Sequence, residues 1–164
     1  MRERYGFTAE EVAGVVVRTH VLTMPLARLA TQTRVAAMFS LPYVVAVAAR
    51  HGRVGPEQFS TACRTDPATL GLATRVEVVH DESLDARLPD ERAARVTVDL
   101  LDGRTVTAER PNPVGDADYL PLDADGVRRK LTGLIGEQAA RHVETTVDDL
   151  TAADDVRPLL AGLA

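Results

Sequence analysis

The apolar positions of the first half of the chain change period several times. Val12 to Val21, with Val15, Val16 and Val17 consecutive, predicts a buried strand. Ahead of it, Thr8 before Glu10 and Glu11 marks a helix start or a turn. From Met24 to Ala30 the spacing becomes helical. A second helical run extends from about Thr33 to His51, with Pro42 inside it, and Gly52 ends it as a C′ glycine. Gly55-Pro56 and Asp66-Pro67 each place a capping residue ahead of a proline in a first helical turn. They predict two short helices, one through Phe59 and Cys63, the other through Leu70 and Leu72.

The middle of the chain alternates with period two. Val76 and Val78 interleave with Arg75 and Glu77; Val96, Val98 and Leu100 with Arg95, Thr97 and Asp99; Val106 and Ala108 with Thr105, Thr107 and Glu109. Such alternation predicts strands with one buried face. Asp102-Gly103 between the last two runs predicts a hairpin with a type I′ turn. The expected fold class is α+β: an antiparallel sheet covered by helices, followed by C-terminal helices.

Pro111 to Pro121 is rich in turn residues and lacks periodicity, so it reads as a linker or loop. Beyond it Val127, Leu131, Leu134 and Ile135 form one apolar stripe, and Val143, Val147 and Leu150 another. Thr151 with Asp154 resembles a capping box opening a last helix through Leu159, Leu160 and Leu163. The expected organisation is an α+β domain over 1–121 and C-terminal helices over 122–164. Those helices either pack back on the first domain or dock on another chain; periodicity alone does not decide.

Hydrophobic residues at 45 % and charged residues at 26 % fit a globular protein. With 4 % aromatics and no Trp, the core must be built mainly of Val, Leu and Ala. A net charge of -5 argues against non-specific nucleic-acid binding, which needs a clustered basic face. Arg128-Arg129-Lys130 is one short run and reads as a solvated helix face. Cys63 is the single cysteine, which excludes an internal disulfide and points to a reducing compartment. It reads as a small apolar helix residue rather than a nucleophile, because no histidine stands in a supporting motif. No signal peptide or membrane-spanning stretch is recognised, so a cytoplasmic location is expected.

His20, His51, His80 and His142 show no metal-ligand spacing on one element, and nucleotide-binding and serine-hydrolase motifs are absent. No metal or cofactor is expected.

The most informative segment is Met38-Phe39-Ser40-Leu41-Pro42-Tyr43. Proline is tolerated in a helix mainly in its first turn, and serine is a favoured N-cap. Ser40 is therefore expected to cap a new helix from Leu41 to about His51, its first-turn N–H groups turned outward to a carboxylate. Tyr43 would then donate a hydrogen bond or a proton to the same ligand. The alternative is a proline-kinked core helix in which Tyr43 is a half-buried packing residue.

Phe39 to Ala48 (FSLPYVVAVA) with Gly52-Arg53-Val54-Gly55 resembles a stretch of the MmgE/PrpD family, whose members include methylcitrate dehydratases, cis-aconitate decarboxylases and iminodisuccinate epimerases. The resemblance continues on both sides, through Arg2–Val17, Asp66-Pro67 to Val78, Asp90–Val98 and Asp102-Gly103-Arg104. It implies a lid, from Met1 to about Pro121, set against a large helical domain to which the last helices return. The helical part supplies most of the family's acid–base residues. On this reading the chain begins after them, and they are expected on a separate helical subunit, with a dimer of heterodimers as the expected assembly.

Of the family's active-site positions only the lid tyrosine transfers, onto Tyr43 as the expected catalytic residue, with Ser40, Met38 and Leu41 as expected substrate-binding residues. Met38 stands where relatives often carry Lys or Arg, and a methionine suits a more apolar ligand. The expected function is one subunit of a split lyase or isomerase acting on a small carboxylate or carbonyl compound. The alternatives are a non-catalytic binding or scaffold module and a fragment of a longer gene product.

Overall fold

A computed structural model describes residues 1–150 and 153–158. The chain divides into two compact units, Met1–Pro113 and Val114–Ala164.

In the first unit, a helical turn α1 (Arg2–Tyr5) ends at Gly6, whose φ of 62° suits a residue without a Cβ. The Glu11 carboxylate accepts the Thr8 N–H at 2.7 Å and fixes a 3-10 turn ahead of strand β1 (Val12–Thr19). β1 stops two residues before the expected Val21, because Val21–Leu26 coils into a 3-10 segment that contains Pro25. That segment also replaces the start of the helix expected over Met24–Ala30.

Val12 and Val15 both reach the core, although an odd spacing should put them on opposite faces. The pairing of β1 slips between Val12 and Gly14, and this irregularity restores both valines to one side.

The run expected from Thr33 to His51 is two helices, α2 (Arg34–Met38) and α3 (Leu41–His51). Thr33 caps the first, and Gly52, in the left-handed region at φ 70°, ends the second. The run expected through Phe59 and Cys63 also divides. Ser60 is extended, and it separates a 3-10 turn (Pro56–Phe59) from α4 (Thr61–Arg64). Asp66 caps α5 (Pro67–Ala73) by accepting the Thr69 N–H at 2.9 Å. Then follow β2 (Val76–His80), α6 (Glu82–Asp85), β3 (Ala94–Leu100) and β4 (Thr105–Arg110).

The fold class is α+β, as expected. The sheet is mostly antiparallel, with order β2-β1-β3-β4, and the β1–β2 pair is parallel. A parallel pair needs a long crossover, and the helices between Val21 and Ala73 supply it. The β3–β4 hairpin is not closed by a type I′ turn. No residue other than glycine has positive φ among the described residues, so Asp102 cannot take the conformation that turn demands. Gly103, at φ 86°, is the single left-handed residue of the loop. Its N–H bonds Leu100 O at 3.0 Å, and Leu100 N–H bonds Arg104 O at 2.8 Å. This is a three-residue loop with a glycine bulge.

The main apolar cluster joins Val12, Val15, Val17, Val76, Val98 and Leu100 of the sheet to Ala46, Leu72 and Ala73 of the helices. A smaller one joins Ala37, Tyr43, Val47 and Phe59.

In the second unit Asp123 caps α7 (Ala124–Ile135), accepting the Gly126 N–H at 2.6 Å. Gly136, at φ 84°, separates it from α8 (Glu137–Asp149). Arg128 of α7 pairs with Glu144 of α8 at 3.0 Å. The expected Thr151 cap and the helix through Leu159, Leu160 and Leu163 lie outside the described residues. Among the described residues no helix is long and apolar enough to cross a membrane.

Hydrogen bonds from the Thr69 hydroxyl and then its N–H hold the Asp66 carboxyl below the usual carboxylate range. A carboxylate depressed in the folded state stabilises the fold above its unfolded value and loses that effect as pH falls through the folded value. Asp66→Ala should cost about 1 kcal/mol in urea unfolding at neutral pH. Asp66→Asn should retain most of the cap while flattening the acid limb of the stability profile.

Candidate functional site

The Met38–Tyr43 segment links α2 to α3, and the backbone turns there so that its side chains diverge. Phe39 caps α2 at φ -100°, and Ser40 is extended at φ -108°, ψ 100°. Pro42 in the first turn of α3 needs no hydrogen-bond partner for its nitrogen. Ser40 therefore does stand at the N-cap position, but its hydroxyl does not cap α3. It accepts the Ala30 N–H at 3.2 Å instead, tying the loop before α2 to the start of α3. Ser40 and Tyr43 are fully buried. Met38 and Phe39 stand out into solvent at 52 % and 60 % exposure, beside Val35 at 64 %, and Leu41 is half-buried.

Tyr43 donates its phenolic proton to Gln58 O at 2.5 Å. Its ring lies tilted by 52° against Phe59, with centroids 6.0 Å apart. Burial pushes the phenol's pKa up; the Cys63 thiol and Asp66 act in the same direction and Arg64 opposes them. Tyr43 is thus a neutral donor at physiological pH, and its proton is engaged within the fold. The geometry has the packing role of the second reading and the helix break of the first.

Three features of this neighbourhood were not legible beforehand. Arg64 donates to Phe59 O, to Thr31 O at 2.7 Å and to Gln32 O at 3.1 Å, and so clamps the loop ahead of α2. Gln58 supplies the acceptor for Tyr43 through its backbone, which no side-chain pattern can announce. At the C-terminal ends of β1 and β2, Asp85 accepts the Val21 N–H at 2.7 Å and bonds His80 Nε2 at 2.6 Å, beside the buried His20. The Val21 N–H, then His80, then the charge of His20 hold the Asp85 carboxyl below its usual range. Among the described residues no group of three or more His, Cys, Asp or Glu is placed to hold a metal ion.

The Phe39–Tyr43 turn thus joins two helices of an α+β layer whose sheet runs β2-β1-β3-β4. The MmgE/PrpD C-terminal domain matches residues 1–152, nearly the whole chain, and the protein belongs to that family. Family members are lyases or isomerases. A comparison with curated proteins finds no match.

Tyr43→Phe should destabilise the chain by about 1–2 kcal/mol in urea unfolding, because the buried Gln58 carbonyl loses its donor. Tyr43→Ala, which also empties the space against Phe59, should cost about 3–5 kcal/mol. A Tyr43→Phe change within error of zero would mean that the Gln58 bond contributes nothing net.

Proposed function

We propose that this chain supplies the lid and closing helices of an MmgE/PrpD-type active site whose opposite wall is a helical domain on a separate polypeptide. The observation that carries the reading is the poverty of burial in α7 and α8. Their buried residues are Gly126, Ala140 and Thr146, while Val127, Leu134, Ile135 and Val147 stand 46–54 % exposed. Helical stability in proteins comes mostly from burying an apolar face. Leu131, Val143 and Leu150 are half-buried, so each apolar stripe is only partly covered and keeps apolar surface for a further contact. The proposed partner is a helical bundle with an apolar groove for these helices.

In the completed site the partner brings the acid–base groups. The reaction class is abstraction of a proton beside a carboxylate or carbonyl, followed by elimination, decarboxylation or epimerisation. The exposed Val35, Met38 and Phe39 give the lid an apolar face towards a small-molecule substrate. Tyr43 takes part only by exchanging the Gln58 carbonyl for an acceptor on the substrate, which makes it a hydrogen-bond donor or proton source from the lid side. An assembly of two such pairs is the corresponding quaternary arrangement.

A second reading, a non-catalytic module built on the same lid, rests on one observation. Ser40 Oγ accepts the Ala30 N–H and Tyr43 donates to Gln58 O, so both hydroxyls are engaged inside the chain.

Co-expression with a polypeptide carrying the helical half should yield a stable complex and an activity that neither chain has alone. Leu134→Asp with Ile135→Asp should abolish complex formation while the first unit's unfolding stays unchanged. Tyr43→Phe should leave assembly intact and lower kcat. Full activity of the isolated chain would refute the split arrangement; unchanged kcat in Tyr43→Phe would return Tyr43 to a packing role.

A further inference from the structure

α3 is apolar on two sides. Tyr43 and Val47 face the smaller cluster, while Val45, Ala48, Ala49 and Gly52, at helical spacing, look towards the sheet. On that second side the packing is incomplete. A cavity of about 390 Å³ lies between Val45, Ala48 and Ala49 of α3 and Val15, Val96 and Val98 of the sheet. Small side chains on the helix opposite valines on the strands leave the gap. Protein interiors are otherwise close-packed, and ligand sites are apolar hollows of this size with a few polar groups to orient the ligand.

The polar groups here are few and specific. Arg2 and Glu3 are the charged residues of the lining, next to Met1. Arg2 donates from one guanidinium nitrogen, Nη1, to Ala49 O at 2.8 Å and to Arg50 O at 2.9 Å, which fixes the side chain on the last turn of α3. Its other terminal nitrogen, Nη2, lies close over Gly52: a Cβ added there would meet it at 3.2 Å. The guanidinium donates to neutral carbonyls, and no carboxylate lies within ion-pair distance of it among the described residues, although its charge reaches Glu10. A fixed cation at the edge of an apolar hollow selects an anion with a hydrocarbon body. The apolar walls beyond the guanidinium disfavour a second negative charge at the far end of the ligand.

We propose that this cavity binds an aliphatic monocarboxylate, with its chain between α3 and β3 and its carboxylate on the Arg2 guanidinium. The site shares no residue with the Met38–Tyr43 segment, so it stands or falls independently of the lid function. Its occupant would stiffen the contact of α3 with the sheet, on the side of the helix away from Tyr43.

The test is calorimetric titration of the full chain with butanoate, hexanoate and octanoate. Affinity should rise about fourfold per added methylene, the increment expected for burying one such group. Octan-1-ol and octanedioate should each bind at least about fivefold more weakly than octanoate, one for want of the charge-assisted bond and the other for its second charge. Ala49→Leu, at a half-buried position against the sheet, should fill the hollow and abolish octanoate binding. Val96→Phe should do the same from the strand side, and decides the matter should the first variant fold poorly by circular dichroism. Arg2→Met should remove the preference for octanoate over octanol while leaving octanol binding in place. No detectable octanoate binding at millimolar concentration, an affinity independent of chain length, or binding untouched by both filling variants would overturn the proposal.

Discussion

The first unit is organised by the burial of α3 on two sides at once. Ala46, with Leu41, Val45 and Ala49, joins it to the sheet cluster, while Tyr43 and Val47 join it to α2 and Phe59. A helix so placed cannot rotate without exposing one apolar set, and it cannot shift along its axis without breaking the Tyr43–Gln58 and Ser40–Ala30 bonds. Everything attached to its N-terminus inherits that rigidity. The exposed trio Val35, Met38 and Phe39 is therefore displayed from a fixed mount, which is what a surface meant to meet a substrate or a second chain requires.

The same constraint separates what the residues reveal in one dimension from what they do not. The β3–β4 hairpin was legible because Val96, Val98, Val106 and Ala108 alternate on either side of a glycine loop. Its turn type was not, since Asp-Gly serves both a type I′ turn and a bulged loop, and only the length between the paired strands distinguishes them. The parallel partnership of β1 and β2 was equally hidden: alternation says which face is buried and nothing about strand direction. The break before α3 was legible from Ser40 and Pro42, whose backbone preferences are local. The fate of the two hydroxyls was not, because Ala30 and Gln58 contribute backbone atoms, and backbone atoms carry no sequence signature.

The second unit has a different balance. Asp123 and Gly136 set the ends of α7, and Arg128 with Glu144 ties the two helices through a surface ion pair worth little in water. Of the apolar residues, Val127, Leu134, Ile135 and Val147 stand exposed, while Leu131, Val143 and Leu150 are half-buried. The partly covered apolar stripes of α7 and α8 are the observation on which the proposed helical partner rests.

The side-by-side pairing of β1 and β2 also bears on how the chain acquires its shape. Val15 registers with Val76 across a long stretch of intervening polypeptide, whereas β3 and β4 meet through a short loop. Contacts between distant positions carry the larger entropic penalty of ring closure and form late, after neighbouring segments have organised. The hairpin and the short helices can nucleate early, while the outer strand must wait for the crossover to condense. During that wait the valine-rich flank of β1 lies unprotected, so newly made chains are most vulnerable to association with one another in the interval before β2 arrives.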